Sequence, residues 1–199
     1  MFDLRKEAVI DYHSAIARGL HQHEVVNVSG GLDFDYVYPN GKLFIASDSE
    51  HDTMAVTIKG VDESGMENEV TFDLQGNSGM HFSESFIRIN SIETDFQNIG
   101  HIRLFGESEE VFADIKPGRG RSENGVYTIP MDTTGYLVSI HGMTTQIWTR
   151  EIDEGFKKLG LFESYDFKIP VKLTGGTDLQ MRVGDLGGFN FTQIILVDE

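Results

Sequence analysis

Apolar positions along this chain recur at two spacings, and the change between them falls at Gly19. Over residues 3–18, Leu4, Ala8, Val9 and Ile16 share roughly one helical face, with Asp3 placed to cap the start and Gly19 to stop the run. The spacing predicts one short helix, marginal alone in water, which therefore needs a surface to lie on, the chain's own or a neighbour's. After Gly19 the period becomes two. Val25, Val26 and Val28 precede Gly30-Gly31, and Leu43-Phe44-Ile45-Ala46 follows the turn Pro39-Asn40-Gly41-Lys42. Met54, Val56 and Ile58 then alternate with Ala55, Thr57 and Lys59, and Asp62-Glu63-Ser64-Gly65 turns the chain. Val70, Phe72 and Leu74 alternate with acids and Thr71 on the way back. That pattern predicts a hairpin with one wet and one buried face.

Further strands are predicted over 86–93 and 101–105, with a loop at 95–100, so that 43–105 reads as an antiparallel sandwich. The polar, glycine-bearing stretch 107–123, which contains KPGRGRSENG, reads as a joint. Beyond it strands are predicted over 126–129, 136–140, 145–150, 165–173, 178–183 and 189–196. In YTIPMDTTGYLVSI (127–140), Pro130 ends one strand and Gly135 is assigned the turn that opens the next, making a scaffold hairpin. The predicted fold class is all-β: an arm over 1–30 with a short helix, a β-sandwich over 31–115, and a second sandwich or jelly-roll-like domain over 116–199.

Composition agrees with packed, short-stranded β structure. The 199 residues are 39% hydrophobic, and Gly 22 against Pro 4 suits many tight turns. The net charge of −16 makes nucleic acid an unsuitable partner, because gripping phosphates takes clustered cations. With no cysteine, disulfides, thiolate metal sites and cysteine nucleophiles are excluded. The start MFDLRKEAVIDYHSAIARGL has no long apolar run, and no stretch approaches the roughly 20 apolar residues of a membrane span. A soluble protein made in the cytoplasm is the expectation.

Little of the chain points to chemistry. His21-Gln22-His23 has a metal-ligand spacing but no third ligand fixed nearby, and a solvated linker is the simpler reading. The oxygen-rich groups Asp33-Phe34-Asp35, Asp48 with Glu50 and Asp52, and Asp62-Glu63 lack the spacing of a helix–loop–helix calcium site, so they read as solvated turns. No nucleophile elbow is present, His141-Gly142-Met143 reads as packing or turn, and the Gly-Gly pairs at 30–31, 175–176 and 187–188 have no following helix to cradle a phosphate. Trp148, the single tryptophan, reads as core or interface, with a sugar platform as the alternative. GRGRS at 118–122 is a basic patch in an acidic chain, where Arg119 and Arg121 are placed either to grip a carboxylate-rich or phosphate surface or to solubilise a flexible joint.

The order of segments carries more than any one residue. ASDSEHDTMAVTIKGVDESGMENEVTFDL, SFIRINSIETDFQNIGHIRLF, KPGRGRSENGVYTIPMDTTGYLVSI, KLTGGTDLQMRV and FTQIILVDE follow one another. Over about 45–199 this resembles a group of small virion structural proteins of tailed bacteriophages, especially marine ones; before residue 45 only ARGL at 17–20 is similar. Two departures stand out: the group's usual PAGKTGY turn is PMDTTGY here, and 151–164 is less like the group than its flanks. The resemblance implies no enzyme activity, no catalytic residue, no cofactor and no metal. It implies a non-enzymatic virion protein, assembled in the host cytoplasm, that decorates or cements the capsid; the alternatives are a tail component or a glycan- or receptor-binding module. Its implied partners are other virion proteins, the major capsid protein or tail proteins, and further copies of itself, with no membrane. The contact residues expected on this reading are Phe2, Leu4, Ile10, Tyr12, Ile16 and Arg18 of the arm, and Arg119 and Arg121. Open strand edges are further natural contact surfaces.

Overall fold

Strict alternation at 54–74 does fold as a hairpin, and the rest of the chain repeats that theme. In the computed structural model, which describes residues 23–29, 39, 41–142, 144–152, 154–183 and 191–198, every regular element is a strand. In chain order they are β1 (His23–Ser29), β2 (Leu43–Ser47), β3 (Ala55–Val61), β4 (Glu67–Asp73), β5 (Met80–His81), β6 (Arg88–Thr94), β7 (Ile102–Gly106) and β8 (Val111–Ile115). Then follow β9 (Val126–Thr128), β10 (Thr133–His141), β11 (Thr145–Arg150), β12 (Lys157–Phe162), β13 (Tyr165–Leu173), β14 (Asp178–Val183) and β15 (Phe191–Asp198). The fold is all-β with several antiparallel sheets. The helix expected over 3–18 lies outside the described residues, as do Phe2, Leu4, Ile10, Tyr12, Ile16 and Arg18.

Contacts divide the chain into two compact units, 34–128 and 1–33 with 129–199. In unit 34–128 one sheet runs β5-β2-β7-β8 and the other β4-β3-β6. Apolar side chains from both sheets meet in one core, where Ile45, Val56, Ile58, Ile89, Ile92, Ile102, Leu104 and Ile115 are fully buried. Burying each such side chain contributes about 1.5–3 kcal/mol before entropy is counted. The β3–β4 register runs from Ala55↔Asp73 to Val61↔Glu67, placing Val70 and Phe72 over that core. Asp62 closes the turn by accepting from Ser64 N, Ser64 Oγ and Met66 N, which is what an aspartate at a turn start does well.

The other unit has a sheet ordered β1-β15-β10-β13 and a second that contains β12, β11 and β14 in that order. β15 lies between two partners, from His23↔Val197 to Ser29↔Phe191 on one side and from Thr133↔Asp198 to His141↔Phe191 on the other. Leu137, Ile140, Ile147, Leu179, Met181 and Ile194 are fully buried.

Two expectations are corrected. The segment 127–140 is not a hairpin: β10 takes its ladders from β13 and β15, and the bend before it is closed by Thr133 N and Oγ1 donating to Pro130 O. Gly135 is no turn residue either. It sits inside β10, paired with Leu173 and Leu196, and a Cβ there would lie 2.6 Å from Ile129 Cδ1, so close packing explains the glycine. Strand β8 falls inside the stretch that reads as a joint, and β12 falls where no strand is predicted.

Candidate contact site on the 95–100 and 116–121 loops

One buried side chain ties two surface loops together. Asn98 donates through Nδ2 to the carbonyls of Gly100 (2.6 Å), Lys116 (3.1 Å) and Ile115 (3.3 Å), and accepts from Gly120 N at Oδ1 (3.1 Å). Its own carbonyl accepts from Gly118 N at 2.8 Å. Gly118 and Gly120 have φ of +73° and +69°, a left-handed backbone that favours glycine and bends 116–121 back toward β6. There Thr94 N donates to Gly120 O, Ser122 N to Ile92 O, and Ile92 N to Ser122 Oγ. With the Glu93↔Arg121 bridge, these bonds cover the outer edge of β6, so GRGRS is held along a strand.

Beneath the other loop, Asp52 performs the matching task. It is buried, and its carboxylate accepts from Ser47 Oγ (2.6 Å), Ile99 N (2.8 Å) and Gly100 N (2.9 Å). Burial pushes this carboxyl up, but the three hydrogen bonds outweigh it and hold it below the usual aspartate range. Asp48 Oδ1 accepts from His101 N at 2.8 Å. Two of the oxygen-rich residues noted in the sequence are therefore acceptors for the main chain of this loop.

What the fixed loops present is an open groove of about 330 Å³, lined by Thr94, Asp95, Phe96, Arg119, Gly120 and Arg121. Phe96 and Ile99 are exposed, and Glu93, also at the groove, is held by Lys59 at 3.6 Å. Neither Arg119 nor Arg121 has an ion pair with a described residue. A guanidinium pair beside a bare phenyl ring suits a carboxylate with an apolar neighbour.

The other candidates are distributed or occupied. Trp148 is half-buried, with its ring under the Arg182 guanidinium at 4.9 Å and Nε1 donating to Gln146 Oε1, so a sugar would meet an already covered face. His141 stacks on Phe191 at 4.7 Å, with Nε2 3.5 Å from Asp166 Oδ1. His21, Gln22, Asp33, Asp35, Tyr36 and Tyr38 lie outside the described residues. Among the described residues no group of three or more histidines and carboxylates is arranged to hold a metal, and no helix is long and apolar enough to cross a membrane. Sequence reasoning found the arginines but missed Phe96, Ile99 and the Asn98 hub. The chain matches no protein-family model and no curated protein.

Proposed function

We propose that this chain is a non-enzymatic structural protein of a tailed-phage virion, a decoration or cement protein of the head, with two sandwich or jelly-roll-like domains behind an N-terminal arm. The observation that carries the reading is the loop pair. The loops that carry Arg119, Arg121 and the exposed Phe96 are tied down by Asn98 and Asp52, and neither arginine has an ion pair with a described residue, which suits a surface made for contact. The segments that carry the family resemblance lie on β3 with β4, on β6 with β7, on β9 with β10, on β14 and on β15, so the similar pattern coincides with the sheet framework. The net charge of −16 suits a protein displayed in many copies, because like-charged outer faces keep particles apart.

Quantitative mass spectrometry of purified particles tests this. Hundreds of copies per particle are expected, and R119E/R121E should reduce them severalfold while leaving the far-ultraviolet circular dichroism of the free protein unchanged. About a dozen copies would move the chain to the tail, whose symmetry is low. Absence from the particle would end the virion reading.

A further inference from the structure

The groove's complement is carried by the same chain. Four of the six described arginines are engaged: Arg88 with the Ile87 carbonyl, Arg103 with Asp114, Arg150 with Asp178, and Arg182 with Gln180 and Trp148. Arg119 and Arg121 are the two that are not; they line the groove with Phe96, which is 70% exposed, and with the carboxylates Asp95 and Glu93, the latter held by Lys59. In the other unit, β12 and β13 join through Glu163 and Ser164, and each is the outer strand of its own sheet. This tip exposes Leu161 (57%) and Tyr165 (49%) next to two carboxylates, Glu163 and Asp166. Glu163 has no ion pair among the described residues, and the Asp166 side chain is 81% exposed, with His141 3.5 Å away.

The tip is stiff. Phe162, Tyr165 and Phe167 pack on one another with ring centroids 5.0–6.1 Å apart, and Gly142 N donates to Ser164 Oγ at 3.3 Å. Bulges interrupt both of its strands and so blunt them against edge-to-edge pairing with another chain. Leu159 is left over between Lys158 and Gly160 on β12, and β13 advances from Asp166 to Val171 while β10 advances only from Ser139 to Leu137. Side chains, and not ladder hydrogen bonds, are what this tip offers a neighbour.

We infer that the 161–166 tip of one copy docks into the 94–99/118–121 groove of a second copy. Two carboxylates would meet the Arg119 and Arg121 guanidiniums, while Leu161 and Tyr165 would cover Phe96. Opposite charges around an apolar centre set orientation and speed encounter. Because tip and groove are different surfaces, the contact is heterologous, and it propagates until a rotation closes it into a ring. The inference rests on the proposed role only in assigning the groove to protein contact.

Sedimentation of the full chain from about 1 to 200 µM tests it, with three proteins. The wild type should self-associate, less so as salt shortens the screening length. R119E/R121E and E163K/D166K should each associate about tenfold or more weakly, since each sets like charges against one another. Mixed in equal amounts, the two variants should associate again, because each restores the other's complement. A wild type that stays monomeric throughout, or a mixture no better than its components, overturns the inference. A chain that is monomeric in solution yet enters particles in high copy would overturn this contact and leave the virion reading standing.

Discussion

Asp52 shows how one side chain converts sequence acidity into architecture. It is buried, yet it stays ionised because three donors surround it. Asp52→Asn puts an NH₂ group against one of the two main-chain donors, Ile99 N at Oδ1 or Gly100 N at Oδ2, and should cost about 1–3 kcal/mol in urea unfolding of the full chain. The pH dependence has a definite sign. The folded-state pKa lies below the unfolded value, so the carboxylate's contribution is complete above about pH 5 and drains away as the pH falls below about 4. The stability gap between wild type and Asp52→Asn should therefore narrow on acidification; a gap that widens there would contradict the assignment. Asn98→Ala leaves the carbonyls of Gly100, Ile115 and Lys116 without that donor, and should weaken the loop pair by a similar amount.

Among the elements, the β3–β4 hairpin was the most legible in the sequence, because Val56 and Ile58 point to a single core face and nothing interrupts their period. Gly60 marks where that regularity breaks. Lys59 pairs with Ser91 and Gly60 with Ile89, leaving Asn90 as a bulge, and a Cβ on Gly60 would lie 2.1 Å from the Arg88 carbonyl oxygen. Gly60→Ala should lower stability by about 1–3 kcal/mol, read as a fall in melting temperature. Bulges also explain the strands that the pattern hid. On β8, Leu104 pairs with Ala113 and Phe105 with Val111, so adjacent Phe112 and Ala113 are both buried and the alternation is lost. β12 has no buried residue at all, and a strand without a dry face has no signature of period two. The arginines of the site were visible as charge against an acidic background. Phe96 and Ile99 were not, since only contacts from residues far along the chain show that their loop is held outward.

At the scale of the whole molecule, all-β character and most of the strands followed from turn chemistry and alternation. The partition into 34–128 and the remainder did not, because it depends on pairings such as β1 with β15 that join residues far apart in the chain. The proposed virion role places its contacts at the groove and at the arm. Removing residues 1–20 leaves every described strand in place, so the truncated protein should keep its β-sheet circular dichroism and fail to enter particles. Normal incorporation of that truncation would exclude the arm from assembly.

Strand β15, seated between β1 and β10, sets a timetable for synthesis. On the ribosome the nascent chain would present the 34–128 unit while the sheet that needs β15 still lacks it, leaving β1 without its partner and β10 with β13 alone. Chains halted before residue 191 should hold a protease-resistant core spanning 34–128, with the flanking sequence digested. Folding of the other unit would then wait for β15, and tolerance to mutation in β15 would be decided by chaperones and proteases as much as by packing.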